Sequence, residues 1–224
     1  KENIINTVVE VCKFNSVSKK DDKYPFGKQC NDALEYILSI GKQFGFKTKN
    51  LDGYCGYIEC GQGEEMIGII GHLDVVPEGE GWKYPPYSGE IVDGEIWGRG
   101  TWDDKGPTVI SIYAIKALMD SGFKFNKRVR LIFGCNEESG SRCLEYYFHN
   151  LHKPYPEYGF TPDGEFPLIY GEKAIATYSV RLEKSFDKVL VMAERSTEIS
   201  LKKYLTLNPI KKGEKILVII GPEG

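Results

Sequence analysis

Met66-Ile67-Gly68-Ile69-Ile70-Gly71 leads directly into His72-Leu73-Asp74-Val75-Val76-Pro77, and this junction decides the fold. The first run is apolar on both faces, as in a strand covered by helices on both sides. The chain then switches at once to an imidazole and a carboxylate. A second apolar strand, Arg128 to Cys135, ends the same way, in Asn136-Glu137-Glu138-Ser139. A short third one, Tyr158 to Thr161, runs into Pro162-Asp163-Gly164-Glu165.

Between the strands lie helical patterns. Ile4, Ile5, Val8, Val9 and Cys12 recur at helical spacing, as do Ala33, Leu34, Ile37 and Leu38, with Gly41 as a stop. The polar stretch Ser16 to Gly27 separates these two helices and reads as a loop. Gly106-Pro107 opens a further helix, with proline suited to the first turn. Its expected buried face is Val109, Ile110, Tyr113, Ala117 and Leu118. A last helix is expected over Ser141 to Leu151. Short strands are expected around 54–60 and a strand or hairpin around 88–97, within long loops rich in Gly, Pro and Trp. Alternating strands and helices predict an α/β fold, a mostly parallel sheet flanked by helices.

Composition narrows the function. The chain has 224 residues, 41% of them hydrophobic, with a formal net charge of −3. That excludes a disordered chain, and a sequence pI near 5.8 gives no global reason to expect nucleic-acid binding. No apolar run approaches the roughly 20 residues of a membrane-spanning helix. Cys12, Cys30, Cys55, Cys60, Cys135 and Cys143 show no zinc-finger spacing and read as small core hydrophobes in a reducing cytoplasm. The chain begins at Lys1, which suggests a fragment or a processed product.

In an open parallel sheet the carboxyl ends of the strands form the binding crevice. His72, Asp74, Asp103, Asp104, Glu137, Glu138 and Asp163 all follow expected strands, so the topology gathers them. Gathered carboxylates repel unless a cation neutralises them. Imidazole with carboxylates suits zinc, and manganese or cobalt less specifically. Taken singly, each piece has an ordinary explanation: Asp103-Asp104 as an N-cap cluster, Glu137-Glu138 as first-turn acids. Taken together they point to a metal site. His149 and His152, beside Lys153-Pro154, read as solvated surface residues. Trp82, Trp97 and Trp102 are expected to pack the long loops, with Trp102 also adjoining Asp103.

Four stretches carry a family resemblance: Gly71–Pro77, Gly98-Arg99-Gly100-Thr101-Trp102-Asp103-Asp104-Lys105-Gly106-Pro107, Asn136–Ser139 and Thr161–Glu165. They resemble the zinc aminoacyl-hydrolase superfamily of aminoacylases, deacylases and carnosinases, and most of all the PepV-type zinc dipeptidases. Tyr24–Gly27, Leu51–Tyr54 and Gly171–Lys173 add to the likeness, which runs over about residues 3–182. The resemblance implies two zinc ions, one held by His72 and Asp163, the second by Glu138, with Asp103 bridging. It implies Asp74 orienting His72, Glu137 as general base, and a cis peptide after Asp103. The implied activity is hydrolysis of dipeptides, with a small peptide as substrate; a deacylase of N-acyl amino acids shares the same motifs.

The family pattern also calls for a lid and a further histidine, and no histidine follows His152. Residues 1–175 are therefore expected to form the N-terminal part of a zinc-peptidase catalytic domain, with 176–186 as the start of a lid or a junction. Residues 184–224 carry eight Lys+Arg against five Asp+Glu, leaving −6 on the rest of the chain. This tail reads as strand (188–193), helix (197–206) and strand (214–220). With its closing Gly221-Pro222-Glu223-Gly224, the segment 187–224 resembles a fragment of a SPOUT-class ribosomal RNA uridine methyltransferase. The competing expectation is thus a catalytically inactive remnant or chimera joining two truncated pieces.

Overall fold

A computed structural model describes residues 2–164, 169, 188–192, 211 and 216–220. The chain divides into two compact units, Lys1–Leu168 and Ile169–Gly224. In the first, helix α1 (Glu2–Cys12) and helix α2 (Lys28–Gln43) precede strands β1 (Lys47–Leu51), β2 (Cys55–Cys60) and β3 (Met66–His72). A hairpin, β4 (Glu90–Val92) and β5 (Glu95–Trp97), leads to helix α3 (Lys105–Asp120) and strand β6 (Arg128–Gly134). Helix α4 (Arg142–Glu145) continues as a π-helical turn, Tyr146–Asn150, before strand β7 (Tyr158–Phe160). The single α-helix expected over 141–151 is thus split between two helix types.

The five-stranded central sheet has the order β1-β2-β6-β3-β7. Strand β3 pairs in parallel with β6 and with β7, whereas β2 runs antiparallel to both β1 and β6. The expectation of a mostly parallel sheet is corrected in this respect: half of the pairings are antiparallel, because β2 returns directly from β1 through the tight turn at Asp52-Gly53. The α/β class stands, with helices flanking a mixed sheet. Burial follows the apolar pattern. Five of the seven β3 residues are buried, as are the six residues Val129 to Gly134 of β6. In α2, Cys30, Ala33, Leu34, Ile37, Leu38 and Gly41 are buried at i, i+3, i+4 spacing.

Helix α3 is rotated from its expected face. Its buried residues are Lys105, Gly106, Thr108, Val109, Ile112 and Ile115, while Ile110 and Leu118 are exposed. The rotation follows from the helix start, where Lys105 and Thr108 turn inward toward polar partners and carry the apolar stripe with them. Five of the six cysteines are buried and all are free thiols, in line with a core role.

In the second unit, β8 (Lys188–Met192) and β9 (Ile216–Ile220) form a parallel pair. The helix expected over 197–206 and the Gly221–Gly224 motif lie outside the described residues.

Candidate metal centre

Three of the segments that bear the site leave the same end of neighbouring strands, in the order β6-β3-β7. Strand β3 ends in His72, with Asp74 two residues on; the turn after β6 carries Glu137 and Glu138; the segment after β7 carries Asp163. Asp103 arrives differently. It follows β5, so it comes after a strand as expected, but that strand belongs to the separate two-stranded hairpin and not to the central sheet. The peptide between Asp103 and Asp104 is cis.

These side chains converge on one buried imidazole, only 2% exposed. The Nε2 of His72 lies 3.0 Å from Asp103 Oδ1, 3.2 Å from Asp163 Oδ2 and 3.9 Å from Glu137 Oε2. Two groupings have donor atoms close enough to share one ion: His72 with Asp103 and Glu138, and His72 with Glu137 and Asp163. The structure therefore brings together His72, Asp103, Glu137, Glu138 and Asp163.

Asp74 serves this cluster from beneath. Its main-chain oxygen lies 3.0 Å from His72 Nδ1, closer than its carboxylate at 3.6 Å. The carboxylate instead accepts the backbone N–H groups of Glu137 and Glu138, at 2.9 and 3.2 Å. One fully buried residue thus aims the ring and holds the turn that carries the two glutamates. Asp74 therefore lies on the Nδ1 side of His72 with both its main-chain oxygen and its carboxylate.

Asp104 does not act as the N-cap suggested by its position, since its side chain makes no capping hydrogen bond. Its Oδ2 accepts from the His72 backbone N–H and from Thr108 Oγ1, both at 3.0 Å. The approach requires Gly71, because a Cβ there would lie 2.3 Å from Thr108 Oγ1 and 2.7 Å from Asp104 Oδ2. Likewise Glu137 and Glu138 sit in the turn before α4, not in its first helical turn. Neither ordinary explanation accounts for these acids.

Sequence reasoning missed four supporting residues: Ser16, Asp104 as a brace, Thr108 and Asn136. Buried Asn136 donates its side-chain amide to Ser18 Oγ (2.9 Å) and Ser139 Oγ (2.7 Å), which fixes the loop around the glutamates. The available signal was its place directly before Glu137. Trp102, at 71% exposure, does not pack the loops as expected. His149 and His152 are exposed, as their surroundings suggested.

The electrostatics favour a cation. Burial alone would lower the His72 pKa, but Asp74, Asp104 and Asp163 outweigh it and hold it at about 10. Burial, with neighbouring carboxylates, raises both Glu137 and Glu138 above the usual carboxylate range. Among the described residues, no lysine or arginine is paired with Asp103, Glu137 or Glu138. Buried Lys105 points elsewhere, its Nζ donating to the Phe14 carbonyl at 2.8 Å. An imidazole with several carboxylate oxygens within reach of one another is a donor set that fits a divalent metal.

A family model, peptidase family M20/M25/M40, matches residues 68–204. YtjP of Bacillus subtilis (strain 168) is 40% identical over 226 residues, covering 100% of this chain and 48% of that protein. The Beta-Ala-Xaa dipeptidase of Lactobacillus delbrueckii subsp. lactis is 43% identical over 166 residues, covering 74% of this chain and 34% of that protein. Among solved structures, the M20 family metallo-carboxypeptidase Sso-CP2 from Sulfolobus solfataricus superposes with a TM-score of 0.59 at 27% identity. That match covers 72% of this chain and 37% of the other. Human carnosine dipeptidase 1 shares the fold, with a TM-score of 0.58 at 24% identity over 66% of this chain and 35% of that one. The chain thus spans about half or less of the length of these relatives. The YtjP alignment includes the tail, and the methyltransferase likeness of residues 187–224 finds no support in these matches.

Proposed function

Because the chain belongs to the peptidase family M20/M25/M40, we propose that it is the metal-binding part of a metallodipeptidase holding two zinc ions. Manganese or cobalt are substitutes with the same ligand preferences. The observation that carries this reading is the convergence of Asp103, Glu137 and Asp163 on the Nε2 of one buried imidazole.

His72 and Asp163 would hold one ion, Glu138 the second, and Asp103 both. Bound there, zinc would make water acidic near neutral pH and polarise the scissile carbonyl. Glu137 is the general base: it accepts the proton of the attacking water and returns it to the leaving amine. Its pKa, raised by partial desolvation and the neighbouring carboxylates, suits an acid–base group although 46% of the side chain is exposed. Asp74 holds Glu137 through its backbone N–H, so the base and the imidazole share one support.

A dipeptide is preferred over an N-acyl amino acid because of the 43% identity to the Beta-Ala-Xaa dipeptidase. In this reading the catalytic module corresponds to the unit Lys1–Leu168, and the six free thiols suit a reducing cytoplasm. Among the described residues, no helix is long and apolar enough to cross a membrane.

Hydrolysis of β-alanyl and α-dipeptides, against N-acetyl amino acids as comparison substrates, tests the proposal. Cleavage of dipeptides should stop with a chelator, return with zinc, and fall about 10²–10⁴-fold in kcat in Glu137→Gln. Chelator-resistant cleavage, or full activity in Glu137→Gln, would overturn it.

A further inference from the structure

The segment Phe14–Ser18 precedes the stretch matched by the family model and carries no metal-binding side chain, yet it touches three pieces of the site: the chain around Asp74, the start of α3 beside Asp103 and the turn that carries the glutamates. Ser16 is fully buried and grips the chain on both sides of Asp74. Its hydroxyl donates to the Leu73 carbonyl at 2.6 Å, and its own carbonyl accepts the Val75 N–H at 3.1 Å. Val17 forms a parallel bridge with Val75. The Phe14 carbonyl receives Lys105 Nζ at the start of α3, two residues after Asp103. Ser18 Oγ receives the amide of Asn136, directly before Glu137.

We infer that Phe14–Ser18 is a positioning strap for the site, with Ser16 as its principal residue, acting on the glutamate turn through Asp74. The chain of contacts is short. Asp74 presents its main-chain oxygen to the imidazole and its carboxylate to the N–H groups of Glu137 and Glu138, so whatever fixes Asp74 fixes both. Ser16 holds the two peptide groups that flank Asp74, which sets its main-chain direction and its side-chain direction together. Only the bond to the Leu73 carbonyl uses the serine hydroxyl; the bond from Val75 uses the main chain and survives any substitution that keeps the backbone in place. The inference rests on the proposed metal reading only for its consequence in metal affinity; the hold on the turn exists without a metal.

Amide hydrogen exchange of the metal-free chain tests the strap first. In Ser16→Ala, exchange at Glu137 and Glu138 should quicken about tenfold, the ordinary worth of a lost hydrogen bond, while amides in the middle of α2 keep their rates. Cobalt(II) titration, read by its visible spectrum, should then show affinity reduced about 10–100-fold. Thr7→Ala is the control for a merely structural effect: it removes another buried hydroxyl, bonded to Asn3 and Tyr113, and should lower the melting temperature without moving either readout. Ser18→Ala, at a half-buried position, carries the exchange test by itself if Ser16→Ala does not fold, with a smaller rise at the same two amides.

Wild-type exchange at Glu137 and Glu138 in both serine variants would overturn the strap. Faster exchange in a chain that binds no cobalt would support the strap and sink the metal reading. Equal losses in Thr7→Ala would overturn it as well, by reducing it to general destabilisation.

Discussion

The middle of strand β6 and the turn that follows the strand both gather charge, and the two are balanced in opposite ways. In the middle of the strand, Arg130 is 6% exposed and meets Glu59 of β2 through Nε at 2.7 Å and Nη2 at 2.6 Å. Its remaining nitrogen donates to the hydroxyl of fully buried Tyr147 at 2.7 Å, and its Cζ lies 4.1 Å from the centre of the Tyr57 ring. Every charge there is answered by the chain itself. Just past the end of the same strand, Glu137 and Glu138 join Asp103 and Asp163 around a single imidazole. The first cluster is closed and structural; the second brings an imidazole and several carboxylates within reach of one shared ion. The comparison teaches that burial of charge is not the mark of a site. Convergence of metal-ligating side chains at strand ends is.

The largest effect is expected from breaking the closed cluster. Glu59→Ala leaves a buried guanidinium without its partner and should cost about 3–5 kcal/mol in urea unfolding, with metal affinity unchanged. Replacing Glu59 and Arg130 together by leucine and methionine should recover most of that loss. A single substitution that is nearly neutral would mean the pair is not closed in the way described.

The open cluster should respond with the opposite sign. Glu138 has a raised pKa, so the metal-free fold disfavours its charged form, and stability drawn from protonation is lost as pH rises through the folded-state pKa. Glu138→Gln should therefore stabilise the metal-free protein at neutral pH, by less than about 1 kcal/mol because the side chain is only partly buried. The same substitution should weaken metal binding. Destabilisation of the metal-free chain would show that these carboxylates do not repel one another.

The two clusters also differ in how far the sequence reveals them. His72, Asp74, Glu137, Glu138 and Asp163 could be placed together because a parallel sheet sends strand ends to one side, and both-face apolar strands are easily read. Asp103 was gathered correctly for a partly wrong reason, since it comes from a loop that folds back over the start of α3. A Cβ on Gly106 would lie 2.0 Å from the Thr101 carbonyl, and Gly100 has a positive φ of 90°, so this return depends on both glycines. The Glu59–Arg130 pair was invisible, because it depends on β2 running antiparallel to β6 and on the register that sets Glu59 opposite Arg130. The same holds for the exposed Ile110 and Leu118, whose apolar character suggested a buried face that inward-turned Lys105 and Thr108 rotated away. Ser16 lay in a polar stretch with no periodicity to mark it. Its importance comes entirely from contacts made across 57 residues of chain.

Calorimetric titration of the chain with zinc tests the central claim most directly. An open carboxylate cluster predicts saturable binding that releases protons and raises stability by about 2.7 kcal/mol at a hundredfold excess over Kd, all of it lost in His72→Ala. No saturable binding, or binding that survives His72→Ala, would contradict it.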